Sequence, residues 1–284
     1  MKKTIFIACL MLLTNLAVGA ESPRIVSADG SLTEIIYALG QGELLVGVDT
    51  TSGFPEVAKS LPQIGYKRNI SAEGVLSLTP HILIATEDSG PDKILRQIEA
   101  TGVNLERYSA TPSLLSVREK VLAVAHLVDR KEQGEALWQQ IEQDVAIARE
   151  ELAKVKQKVN VLFVLSLEGG SPVVAGANTH AAEMIHLAGG ENAAKGFSGY
   201  KAMPLEAIIS AQPDVVLMMD RAGNHGVSST ILEAHGFNLT PAGQNQRLVT
   251  MDGMLMLGFG PRIAQAIRGL SVAFYPHQLE MKTP

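Results

Sequence analysis

The sequence predicts an α/β chain of two lobes, each a mostly parallel sheet flanked by helices, joined by a single long interlobe helix. Three observations carry that expectation. Short apolar runs alternate with helical segments of about ten residues, the pattern of βαβ units. GYKRNISAEGVLSLTP at residues 65–80 returns in degraded form as GYKAMPLEAIISAQP at 199–213; the glutamate-to-proline spacing is the same in both copies (Glu73 to Pro80, Glu206 to Pro213), and an apolar strand follows each. Between the copies, Leu137, Ile141, Val145, Ala148, Leu152 and Val155 recur at helical spacing within residues 129–158, which reads as one amphipathic helix. At 1.5 Å per residue a helix of about 28 residues is ~40 Å long, enough to pack along both lobes.

Taken in order, residues 24–40 read as a short strand, a turn at Asp29-Gly30-Ser31, and a helix with apolar Leu32, Ile35, Ile36 and Leu39 stopped by Gly40. Residues 43–53 give the next strand, and Phe54-Pro55 with Leu61-Pro62 frame the loop that carries Tyr66. A helical pattern starts at Ser71, Pro80 delivers a strand at 81–85, and Gly90-Pro91 leads into a helix at 92–100 and a strand at 104–108. Thr111-Pro112 starts a helix to about Val128; the long helix follows, with Gly134 as its weak point. The second half repeats the first. Strands fall at 160–169 and in PVVAG; a helix lies within 178–190, where Glu183 to Gly189 keeps the spacing of Glu34 to Gly40. The second GYK copy, its helix and a strand at 214–219 come next. A glycine- and serine-rich loop at 221–229, a strand at 247–252, GMLMLGFGP and a helix at 262–270 close the chain. The expected division is a signal at 1–20, an N-terminal lobe at 21–111, an interlobe helical segment at 112–158 and a C-terminal lobe at 159–284.

The signal reading rests on Lys2 and Lys3, an apolar run from Thr4 to about Leu16, and small residues at Val18 and Ala20. Cys9 lies inside that run, so the mature chain has no thiol for a disulfide or a metal. Taking Lys2 and Lys3 from the 24 basic residues leaves 22 against 29 acidic ones, a net charge of about −7. That balance argues against nucleic acid or an anionic membrane surface as partner. No second apolar run reaches the ~18 residues of a bilayer span, so the expectation is a soluble, monomeric periplasmic protein of a Gram-negative bacterium.

Two features stand out chemically. Tyr66 sits beside the cations Lys67 and Arg68, whereas its copy, Tyr200-Lys201, lacks the arginine. Glu73 and Glu206 open equivalent helices, where the helix dipole and capping by Ser71 or Pro204 favour an acid in any case. The seven histidines show no ligand-pair spacing.

The segments GYKRNISAEGVLSLTP and LGFGPRIAQAIRGL (257–270) resemble the periplasmic haem-binding proteins of bacterial ABC haem importers, a branch of the metal-chelate carriers with two lobes and one long interlobe helix. The resemblance covers the mature chain. It implies that Tyr66 ligates ferric haem iron in the interlobe cleft and that Glu73 and Glu206 dock on arginines of an inner-membrane ABC permease. It implies no catalysis. Some relatives hold a second haem through a histidine where this chain has Leu167-Glu168. Arg68, two residues from Tyr66 in an extended loop, lies on the same side and is placed to bond the phenolate or a haem propionate. Tyr200 and Lys201 form a candidate cleft rim for the ligand's edge; in the glycine-rich loop, His225 is a candidate second axial ligand and Arg221 a candidate propionate partner. Two alternatives stand beside haem: a carrier for a ferric siderophore or cobalamin, neither of which needs a phenolate, and a chelatase-like enzyme, which needs a histidine or acid base in the cleft.

Overall fold

The structure is a computed structural model and describes residues 22–167, 171–220, 229–233 and 236–279. The first lobe contains β1 (Ile25–Ser27), α1 (Gly30–Ala38), β2 (Leu45–Val48), β3 (Gly65–Tyr66), β4 (Asn69–Ile70), α2 (Ala72–Ser77), β5 (Ile82–Thr86), α3 (Asp92–Glu99) and β6 (Asn104–Tyr108). Its main sheet has the order β2-β1-β5-β6, with every pair parallel. Strand β3 pairs only with β4, as a separate antiparallel hairpin.

Two helices connect the lobes, α4 (Leu114–Leu127) and α5 (Lys131–Leu152). Three corrections to the sequence reading fall here. The long helix has 22 residues rather than about 28. It ends at Leu152, whose side chain packs on the turn at Gly189, with Cδ2 2.6 Å from where a Cβ on the glycine would lie. The fully buried stripe runs through Trp138, Ile141, Val145 and Ala148, so Trp138 joins Leu137, which packs partly buried on the same core. Gly134 is a close-approach site instead of a weak point: a Cβ there would sit 2.3 Å from Ala125 Cβ, so glycine lets α4 and α5 cross tightly. The two helices are separate because Asp129 adopts the left-handed region, φ 53°.

The second lobe contains β7 (Asn160–Ser166), β8 (Val173–Ala175), α6 (His180–Leu187), β9 (Glu191–Asn192), β10 (Tyr200–Ala202), α7 (Leu205–Ala211), β11 (Val215–Asp220), α8 (Pro241–Gln244), β12 (Leu248–Asp252), α9 (Gly253–Leu257) and α10 (Ile263–Phe274). Its sheet runs β10-β8-β7-β11-β12 with β9 also on β7; β8 pairs antiparallel with both β10 and β7, and the other pairs are parallel. The GYK copies therefore differ in fold. The first makes a free hairpin, while the second adds an edge strand to the main sheet.

Alternation along the strands explains the layering. In β7, Val161 and Phe163 enter one core while Leu162 and Val164 enter another; β11 does the same with Val215 and Leu217 against Val216 and Met218. The inner core is shared. It joins Ile35 and Ile36 of α1, Val121 of α4, Ile141 of α5, Phe163 of β7 and Ile267 of α10, so both lobes pack on the connecting helices through one continuous apolar body.

Candidate ligand-binding site

The hairpin β3–β4 carries Lys67-Arg68 at its tip. Gly65 makes it possible, with φ 99° and its Cβ position only 2.8 Å from the Asn69 carbonyl oxygen. The hairpin is pinned to the carboxyl ends of the parallel strands: the Thr50 amide donates to Gly65 O (2.9 Å), Gly90 donates to Lys67 O (2.8 Å), and Ile70 donates to Gly90 O (3.0 Å). Ligands of open α/β sheets bind at that edge.

Around this tip the side chains form one chain of contacts. Arg68 donates from Nη1 to the Tyr66 hydroxyl at 2.7 Å and from Nη2 to Asp88 at 2.5 Å. Lys67 bridges Asp88 (2.9 Å) and Asp29 (2.6 Å). Thr86 at the end of β5 donates toward Asp88 (2.8 Å) and Asp29 (3.1 Å). Asp29 also caps α1, accepting from the Ser31 amide at 2.8 Å. Burial alone would raise the Asp29 carboxyl, but the charges of Lys67 and Lys120 outweigh it and hold the group at about 2. Burial acts the same way on Asp88, which Lys67 and Arg68 nevertheless hold below its usual range. Tyr66 remains 44 % exposed, so its oxygen is open to a ligand.

The second lobe carries Tyr200 and His180. Tyr200 is 40 % exposed and packs edge-on to Phe163 with centroids 6.4 Å apart. His180, first residue of α6, lies edge-on to Phe259 at 5.3 Å. Burial, then the charges of Lys67, Lys120 and Arg68, push its imidazole down, while burial pushes the Tyr200 phenol up. The floor is a tie between lobes: buried Lys120 donates to Ser31 Oγ (3.1 Å) and Phe259 O (2.9 Å), and Arg262 grips Glu34 through two hydrogen bonds at 2.8 and 2.5 Å while its guanidinium lies 3.8 Å over the Phe54 ring. A separate cavity of about 790 Å³ runs along α6, lined by Lys158, Glu183, His186, Glu191 and Lys195 among others.

Sequence comparison assigns this architecture. The model of the periplasmic binding protein family matches residues 25–255. The chain belongs to this family.

Among solved structures, this periplasmic binding protein is similar to the apo form of the periplasmic heme-binding protein RhuT from Roseiflexus sp. RS-1, with 41 % identity, a TM-score of 0.86, and coverage of 91 % of this chain and 100 % of that one. It is similar to the periplasmic heme-binding protein BhuT in complex with two hemes at 38 % identity and a TM-score of 0.86, covering 91 % and 100 % of the two chains. A curated relative, the vitamin B12-binding protein of Vibrio campbellii, is 28 % identical over 235 residues, 82 % of each chain. The two-lobed fold, and the resemblance to haem-binding proteins of ABC importers, are thereby established.

Of the residues singled out in the sequence, Tyr66 and Arg68 meet on one hairpin, and Tyr200 lies on β10, edge-on to Phe163. Lys201 lies on exposed β10 with its ammonium 5.5 Å from the Phe197 ring. Glu73 and Glu206 are exposed in the first turns of α2 and α7; Ser71 caps the former, whereas Pro204 precedes the latter without a side-chain cap. Arg221, His225 and Glu168 lie outside the described residues. Sequence reasoning missed Asp88, Thr86, Lys120, His180 and the Glu34–Arg262 pair, and read Asp29 only as part of a turn. The available signal was position, since Thr86 ends β5 and Asp29 and Asp88 follow β1 and β5, at the carboxyl ends of the strands where ligands bind.

Proposed function

We propose that this periplasmic binding protein carries ferric haem as a periplasmic monomer, ligating the iron through the Tyr66 phenolate between the lobes and delivering it to an inner-membrane ABC permease. The observation that carries the reading is the exposed Tyr66 hydroxyl held at 2.7 Å by the Arg68 guanidinium. Ferric iron is a hard acid matched by an anionic oxygen. A free phenol has a pKa near ~10, so at neutral pH the bound anion needs the iron and a positive donor to stabilise it. Arg68 is that donor, and its hydrogen bond gains strength when the oxygen becomes charged. Tyr200, Lys201 and His180 form the wall that meets the porphyrin from the other lobe; Arg221 and His225 remain proposed contacts from the glycine-rich loop. Glu73 and Glu206 present one exposed carboxylate on the matching helix of each lobe, a pattern suited to a permease of two subunits. The protein performs no chemistry beyond coordination.

The relative that binds vitamin B12 supports a second reading, cobalamin as cargo. A corrinoid brings its own axial ligands and needs no phenolate, so the Tyr66–Arg68 pair favours haem. Parallel titrations with ferric haem and cobalamin separate the two. Saturable haem binding with none of cobalamin is expected, and the reverse overturns the proposal.

A further inference from the structure

We propose that Asp88 is the positioning residue of the Tyr66–Arg68 pair: it orients the Arg68 guanidinium on the phenolate and so sets the donor strength of the iron ligand. The inference rests on the haem reading above. The Arg68 side chain is 55 % exposed, and an unanchored arginine on a hairpin tip samples many rotamers. Asp88 removes that freedom. Its Oδ2 accepts from Nη2 of Arg68 at 2.5 Å while Nη1 of the same planar fork reaches Tyr66 at 2.7 Å, so fixing one nitrogen aims the other. Asp88 is itself fixed, because its Oδ1 takes Lys67 at 2.9 Å and Thr86 Oγ1 at 2.8 Å, and Lys67 is anchored on buried Asp29 at 2.6 Å. The carboxylate also lies between two adjacent cations whose repulsion would otherwise turn Arg68 away.

Charge alone and positioning predict opposite signs. Asp29 and Asp88 stand against Lys67, Lys120 and Arg68, so neutralising Asp88 raises the positive charge near Tyr66 and, by charge alone, favours the phenolate. Loss of position removes a hydrogen bond from the phenolate and leaves it a stronger electron donor to the iron.

The test is Asp88→Asn, Arg68→Ala and the double variant, loaded with ferric haem, with the tyrosinate-to-iron absorption band and the ferric/ferrous potential as readouts. The expected result is a band at longer wavelength and a lower potential in Asp88→Asn, in the same direction as Arg68→Ala, with about tenfold weaker haem binding. The double variant should match Arg68→Ala alone, and Asp88→Glu should recover part of the wild-type band. A wild-type band and potential in Asp88→Asn, a shift the opposite way, or shifts that add in the double variant overturn the positioning role. A wild-type protein that binds no haem overturns the underlying reading instead, so the two failures are distinguishable.

Discussion

Replacing Asp29 by asparagine removes the buried anion at the base of the site while keeping an oxygen able to cap α1. The wild-type carboxyl is held at about 2, against a reference of 3.8. At 1.36 kcal/mol per pKa unit, that difference is worth ~2 kcal/mol of folding stability at neutral pH. The folded-state pKa is depressed, so the contribution is fully present above the unfolded pKa near 4 and is lost as pH falls toward 2. Linkage leaves roughly half of it at pH ~3 and under ~0.5 kcal/mol at pH ~2. Urea denaturation of wild type and Asp29→Asn, repeated from pH 7 downward, measures the difference directly. At pH 7 the variant should be less stable by about 2 kcal/mol, a melting shift of roughly 4–8 °C for a chain of this size. The gap should close by more than half by pH ~2.5. A gap that stays constant with pH, or widens as pH falls, would refute the charge-based account of the Asp29–Lys67 anchor.

The interlobe pair gives a second stability prediction. Glu34 and Arg262 side chains are 5 % and 21 % exposed, and removing one partner of a buried pair costs ~3–5 kcal/mol. Arg262 keeps some solvent and its stacking on Phe54, so Glu34→Ala should cost about 2 kcal/mol by denaturation, and a loss below ~0.5 kcal/mol contradicts the tie. For docking, Glu73→Ala combined with Glu206→Ala should leave haem affinity unchanged while reducing transport by the reconstituted permease; normal transport discards that role.

The sequence carried the fold because its strongest signals are local. Gly65 and Gly199 both take positive φ, Pro80 and Pro213 both precede a strand, and the copies could be aligned without knowing their structure. The Tyr66–Arg68 contact was legible for the same reason: two residues apart in extended chain share a side. What escaped was non-local. Glu34 and Arg262 lie 228 positions apart, and Lys120 reaches Phe259 across 139, so no spacing rule connects them. The helix end at Leu152 was hidden because Leu152 and Val155 continue the apolar period and both pack on the core. Trp138 was overlooked one position from Leu137, since the helical stripe is wider than a single row. His180 carried no signal as a lone histidine at a helix start, and its packing on Phe259 joins residues far apart in the chain.

The measurement that bears most directly on the central claim is a ferric haem titration of the wild type and Tyr66→Phe, followed by absorption spectroscopy. The wild type should give a high-spin ferric spectrum of tyrosinate type, and Tyr66→Phe should lose both that spectrum and most of the affinity. Equal affinity and an unchanged spectrum in Tyr66→Phe would contradict the assignment of Tyr66 as the iron ligand.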